Sequence, residues 1–430
     1  MKKIGLFSAI SIGIGGMVGG GIFAVLGEAV SLAHGATPIA FLVAGIIAIL
    51  TAYSYAKLSV NHQSRGGTVY FVDKAFGHNI LSGSVNFMLW LSYIVTISLY
   101  SVAFSSYGIT FFDNKSSFIE HSLISVAIIL PAIINIISAS FVGKSETFIV
   151  VIKIILLIII IFSGLFYVDV SKFNPSDYGS SLSIISAGMI IFVAYEGFEL
   201  IANASENIEN PKKNLPLAYY YSVSIVIALY ILISIVTVGS VDEKILLDAQ
   251  DYALAIASKP ALGEMGFTLV VITALLSTFS AINATIFGNA RLGYIIAKDG
   301  MLPKFFEQEK RDIPMMGVAL TVVCSLILAN TINLNDIAII ASAGFLLIFF
   351  IVNISAFKLR KEIEANIFIV SLSSIFTLIA LIILLVQTYN SNIQAIIIFV
   401  SFIIFSYLFE LFYGKVIRGH IFERYYKQKE

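Results

Sequence analysis

Apolar runs about twenty residues long, parted by short polar stretches, fill almost the whole chain. A helix crosses the hydrocarbon core of a bilayer in about 20 residues. On that measure the pattern predicts twelve spans: 8–33, 38–60, 82–111, 121–140, 146–167, 182–203, 217–238, 265–291, 314–330, 336–357, 366–388 and 393–413. A turn at Gly35 and Pro38 parts the first two spans. Residues 69–76 read as a short stretch at the surface, and 242–259 as a short helix outside the bilayer.

The first span breaks its own pattern. Between Ser8 and Leu32 it holds Gly13, Gly15, Gly16, Gly19, Gly20 and Gly21. Each glycine weakens a helix interior by about 1 kcal/mol relative to alanine. A broken backbone is tolerated at membrane depth only where protein or a polar cavity satisfies the freed groups. The expectation is a discontinuous helix lining a site. Its free amides near Gly20, Gly21 and Ile22 open the second half-helix, where a carboxylate is favoured. Close packing of small residues, Gly15 with Gly19 and Gly16 with Gly20, fits the same glycines.

The sixth span is interrupted differently. Glu196 and Glu199 flank Gly197 in an otherwise apolar run. A carboxylate there is costly unless protonated, paired or facing a polar cavity, so ionisable groups at such depth point to function. Glu199 also fits a plainer role, reaching polar groups of neighbouring helices. Spans 1–5 and 6–10 make two blocks of five, covering 8–167 and 182–357. Five helices per block inverts the second block. Interrupted spans at corresponding places of two inverted repeats point to a substrate site between them.

Lys57 and Arg291 stand at the inner ends of their spans, which leaves Lys153 as the one cation well inside a span. Its stem is long enough to snorkel toward the headgroups. Pointed inward, it would meet unwound backbone of the first span and hydroxyls of the eighth, at Ser277, Thr278 and Ser280. There a desolvated amine could stand in for a bound cation and titrate during a transport cycle.

Composition agrees with the pattern. Of 430 residues, 58% are apolar and 12% charged, with a mean hydropathy of +0.95. A soluble domain carries about 25% charged residues. Net charge is zero, so nothing argues for nucleic acid. The single cysteine, Cys324, excludes an internal disulfide and a multi-cysteine metal site, and reads as a buried, inert thiol. Histidines 34, 62, 78, 121 and 420 have no ligand spacing. No metal, no cofactor and no enzyme chemistry is expected, since no nucleophile, base and orienting group converge. The charged start, with Lys2 and Lys3, leads into a full span and reads as a retained first helix.

Charge sets the orientation. With both termini inside, twenty-one of the 26 Lys and Arg fall in inner segments, including five in the tail 414–430. Only Lys115, Lys172, Lys244 and Lys259 fall outside. Such a bias fixes topology. Lys144 and Glu146 read as interface anchors at the inner start of the fifth span. Glu28 reads as lining an outer vestibule or pairing with His34. Asn135, Asn283 and Asn289 read as polar glue between helices, and Tyr93 with Tyr100 as one face of the third span toward a cavity.

Three blocks in order then resemble the amino acid–polyamine–organocation transporter superfamily. They are Gly16-Met-Val-Gly-Gly-Gly-Ile-Phe23, Phe192-Val-Ala-Tyr-Glu-Gly-Phe-Glu199 running on to Pro211 and Pro216, and Ser277-Thr-Phe-Ser280 through Arg291 to Pro303. Gly66-Gly-Thr-Val-Tyr70 matches as well. The resemblance covers the first ten spans; 366–413 matches by count only. It implies an all-α polytopic membrane protein with a five-plus-five inverted-repeat fold, helices 1 and 6 discontinuous, in a single transporter domain. It implies a secondary transporter of amino acids in a bacterial or archaeal cytoplasmic membrane, similar to prokaryotic proton-coupled permeases, with an exchanger of amino acids or small amines as the alternative. The substrate carboxylate would lie on amides around Gly20, Gly21 and Ile22. The amine would meet carbonyls near Val18 and Gly19, Phe192, Val193 and Glu196. Phe192, Ala194 and Tyr195 would shape the pocket. Lys153 matches a lysine that replaces a sodium ion in proton-coupled members, with Gly16 or a neighbour and Ser277 or Thr278 as partners. Met17 and Val18 stand where a small polar residue is common, which favours a neutral amino acid over a polyamine.

Overall fold

The computed structural model describes residues 3–137, 139–310 and 313–413. Lys144 and Glu146 lie on a helix, but their side chains, like the tail cations and His420, lie outside what is described.

The first predicted span is two helices, α1 (Leu6–Met17) and α2 (Gly21–Ala33). A turn with His34 at a positive φ leads into α3 (Thr37–Asn61). Next come α4 (Thr68–Phe76), α5 (Ile80–Gly108), α6 (Ser117–Ile137) and α7 (Ala139–Gly164). The sixth predicted span is also two helices, α8 (Ser181–Ile190) and α9 (Leu200–Asn203), joined by a tight turn over Ile191–Tyr195 and a non-helical stretch. The rest are α10 (Pro211–Ser240), α11 (Glu243–Asp248), α12 (Ala253–Ala257), α13 (Lys259–Lys298), α14 (Met315–Thr331), α15 (Leu334–Leu359), α16 (Ile367–Ser391) and α17 (Ile393–Tyr413). A two-residue hairpin pairs β1 (Glu309–Lys310) with β2 (Ile313–Pro314).

Among the described residues, ten helical stretches are long and apolar enough to cross a membrane, and α1 and α14 are shorter apolar helices. In lipid, helices are the natural solution, because each satisfies its own backbone polar groups. The order of elements follows the predicted spans. The boundaries differ most at α13, which begins at Lys259 and passes through a kink at Gly263, where φ is +60°. A residue without a side chain turns the chain there at little cost.

Burial separates scaffold from periphery. α5 and α15 are buried along most of their length, while α6 and α17 turn most of their residues outward. Helix α4 is not a surface stretch. Val69, Phe71, Val72 and Asp73 are buried, and it packs on α5 and α15. Polar glue is where the sequence put it. The Asn135 side-chain amide donates to Asn283 Oδ1 (2.8 Å), tying α6 to α13, and that of Asn289 donates to Thr321 Oγ1 (3.1 Å), tying α13 to α14.

Each end of the bundle carries a latch. At one end Ile4 pairs with the stretch after α9 (Ile4 N to Asn207 O 2.8 Å, Glu209 N to Ile4 O 2.9 Å), and Arg65 Nε donates to Glu206 Oε2 (3.1 Å). At the opposite end His34 Nδ1 meets Glu243 Oε1 (2.5 Å). Residues 242–259 form α11 and α12 there, packed on α2.

Candidate transport site at the two helix breaks

Helix α1 ends at Met17 because glycine follows glycine. Val18 donates back to the Ile14 carbonyl (2.7 Å), and α2 starts only at Gly21. The amides of Gly20, Gly21 and Ile22 bond to no acceptor among the described residues. They are the open N-terminal turn of α2, a place where a carboxylate is favoured.

The break in the sixth span has two parts. Ile191–Tyr195 tightens into a 3₁₀ turn, and Glu196 then turns extended with φ −62° and ψ +145°. Ser342 of α15 holds the turn by accepting from Val193 N (3.0 Å) and donating to the Ile190 carbonyl (2.5 Å). Gly197 follows at φ +121°, a conformation L side chains rarely adopt. The two breaks touch here. A Cβ on Gly16 would stand 2.7 Å from the Gly197 carbonyl oxygen. Tyr230 of α10 bridges them, its hydroxyl lying 2.7 Å from the Met17 carbonyl and 3.1 Å from that of Ala194. Tyr195 is anchored the other way, donating to the Phe41 carbonyl of α3 (2.8 Å).

Both glutamates are buried, Glu196 at 4% exposure and Glu199 at 1%. Glu199 is held by two donors: Gly197 N–H to Oε2 (2.7 Å) and Tyr93 O–H to Oε1 (3.1 Å). It therefore does more than reach a neighbouring helix, since it also accepts from Gly197, two residues before it in the same break. Glu196 Oε2 lies 3.0 Å from Thr96 Oγ1, with Tyr100 beside it. Tyr93 and Tyr100 do share the face of α5 that looks on the break.

Lys153 does not snorkel. It is 2% exposed, and Nζ donates to the Gly15 carbonyl (3.0 Å) in the last turn of α1. The partner is thus one residue before Gly16, which is occupied with Gly197. Ser277 Oγ is buried with no hydrogen-bond partner, and the Thr278 hydroxyl bonds back to the Ala274 carbonyl (2.7 Å). Cys324 is half-buried rather than fully so.

Val18, Gly19, Gly20, Gly21, Ile22, Phe192, Val193, Ala194, Tyr195 and Glu196 are all brought together and all buried. Side chains fill the space between the breaks, with Tyr100 against Gly20, Ala281 against Gly19 and Ala194 against Gly21. The cavity beside the breaks measures about 40 Å³ and runs from Glu196 to Gly66 and Thr68. That is room for a water or two rather than for an amino acid. Sequence reasoning missed Tyr230, Thr96 and Ser342. Tyr230 left a trace as a phenol in the middle of an apolar span; the two hydroxyls left none.

The model of one protein family, described as amino acid permease, matches residues 4–414. The chain belongs to the amino acid permease family. This permease is 36% identical over 417 residues to an uncharacterized protein of Methanocaldococcus jannaschii, covering 96% of each chain. It is 31% identical over 399 residues to the inner membrane transport protein YbaT of Escherichia coli, covering 92% of this chain and 93% of that one. It is 22% identical over 383 residues to the branched-chain amino acid permease BcaP of Bacillus subtilis, covering 84% and 81%. The permease is a multi-pass membrane transporter and not an enzyme.

Proposed function

We propose that the chain is a secondary transporter of neutral amino acids, driven by protons, working by alternating access with both termini inside the cell. Helices α1–α2 and α8–α9 would rock as a unit against a scaffold led by α5 and α15. The twelve spans would divide into inverted repeats over 8–167 and 182–357, with 366–413 added and 414–430 as a cytoplasmic tail. The substrate carboxylate would sit on the free amides of Gly20, Gly21 and Ile22, and its amine on carbonyls of the two breaks. Filling that space requires the Tyr100, Ala194 and Ala281 contacts to open.

The observation that carries the reading is the Lys153 amine, buried against the Gly15 carbonyl. A buried cation on a backbone oxygen at the break occupies a place where a metal cation would otherwise bind, and unlike a metal it can give up its charge by losing a proton. The test is uptake of labelled neutral amino acids into proteoliposomes without sodium. An inward proton gradient is expected to drive accumulation, and Lys153→Ala to abolish that accumulation while leaving some exchange. Uptake that needs substrate on the far side and ignores the gradient would make the protein an exchanger. Normal gradient-driven uptake by Lys153→Ala would remove the amine from the mechanism.

A further inference from the structure

We propose that Glu196 is a second proton-exchange site, neutral when the breaks are closed and served by water in the cavity beside it. The starting point is a hydrogen-bond count at Thr96. Its hydroxyl has one proton and two oxygen neighbours, the Ser92 carbonyl at 3.2 Å and Glu196 Oε2 at 3.0 Å. Given to Ser92, the usual back-bond of a helical threonine, that proton leaves Glu196 to be the donor. A neutral Glu196 completes the chain from Glu196 O–H to Thr96 to the Ser92 carbonyl, with every proton used once.

The surroundings divide the labour between the two acids. Glu199 Oε2 is met by a backbone amide, which can only donate, and Oε1 by a phenol, whereas Glu196 meets two hydroxyls, those of Thr96 and Tyr100, which can accept from a carboxyl as well as donate to a carboxylate. Two charged carboxylates three residues apart, away from water, repel with little to screen them. The second acid is therefore the one to carry the proton. The titratable groups around this stretch are Tyr55 of α3, Tyr93 and Tyr100 of α5, and Tyr219 and Tyr230 of α10. Lys153 of α7 has its amine on the Gly15 carbonyl. Helix α13 lines the cavity with Ala281, Ala284, Thr285 and Gly288, none of them titratable.

An independent feature marks the cavity as hydrated. Asn289 lines it, is 1% exposed, and has a side-chain carbonyl oxygen with no hydrogen-bond partner. A buried acceptor beside about 40 Å³ of space calls for a donor, and a water fits the space. That water accepts the proton when the Glu196 O–H bond breaks, leaving a carboxylate that then recruits the Thr96 hydroxyl. The cavity leads toward Gly66 and Thr68, so exchange is expected on the side of the Arg65–Glu206 latch.

The consequence for transport rests on the proton-coupled reading; the protonation does not, and the test is read without flux. Infrared spectra of the purified full-length protein at neutral pH are expected to show the carbonyl stretch of a buried protonated carboxyl. Glu196→Gln is expected to abolish it, Glu199→Gln to keep it, and Thr96→Val to shift it. Loss of the band in Glu199→Gln but not in Glu196→Gln, or no such band in the wild type, overturns the proposal. A Glu196→Gln protein that fails to fold leaves the Thr96→Val shift as the deciding measurement, and an unmoved band overturns it too. Gradient-driven uptake, measured separately, then reports on the coupling reading alone.

Discussion

Gly16 and Gly197 meet backbone to backbone, with no room for a methyl on either. Gly197 carries the further demand of φ +121°. Alanine there pays for a disfavoured backbone, about 1–3 kcal/mol, and must also push away Gly16 and Met17. Gly197→Ala is expected to lower the melting temperature of the detergent-purified protein and to abolish transport. An unchanged melting temperature would mean that the breaks do not touch in the membrane. Lys153 teaches a related lesson. Its depth was legible in the sequence, and so was a partner on the first span, but the Gly15 carbonyl belongs to the last turn of α1 rather than to unwound backbone. That the carbonyl is Gly15 and not Gly16 was not legible, because one residue around a helix turns a carbonyl through about 100°.

At the scale of elements, the two interrupted spans were readable from opposite signals. Glycines mark the first, and charges in an apolar run mark the second. What joins them was not readable. Tyr230 comes from α10 and sets its one hydroxyl proton between the carbonyls of Met17 and Ala194, nearer to Met17. In the rocking model it moves with both breaks or lets go of one. Tyr230→Phe removes the bridge and nothing else of the ring. It is expected to cost about 1–3 kcal/mol for the carbonyls left unsatisfied, read as a lower melting temperature, and to slow transport several-fold without changing which amino acids compete. Wild-type rates in Tyr230→Phe would show the bridge to be incidental. Helix α4 was misjudged for a related reason. It was too short to span and read as a surface stretch, but Phe71 and Val72 are buried where it packs on α5, next in the chain, and on α15, far from it.

Across the whole molecule, the latch groups fall at two ends. Arg65 and Glu206 lie at one, His34 and Glu243 at the other. The exposed Arg65–Glu206 pair is worth about 0–1 kcal/mol, small enough to open and close in a cycle. On the proposed orientation, with both termini inside, it lies on the cytoplasmic side. With Cys324→Ala as background, a single cysteine at Lys115 is expected to react with a membrane-impermeant thiol reagent on intact cells, and one at Lys213 to react only after lysis. The reverse pattern would invert the orientation and, with it, the side on which Glu196 exchanges its proton.

By itself the sequence determined that this is a bundle of membrane helices, their order along the chain, and which two are broken. Those properties follow from local composition, because lipid punishes every unsatisfied peptide group and every buried charge where it stands in the chain. Tertiary structure alone decided which carbonyl receives the lysine, which acid binds the backbone of the break and which faces a cavity, and how closely the two breaks approach. These depend on hydroxyls and glycines brought together from helices more than a hundred residues apart, and a pattern of apolar and polar positions carries no record of such meetings.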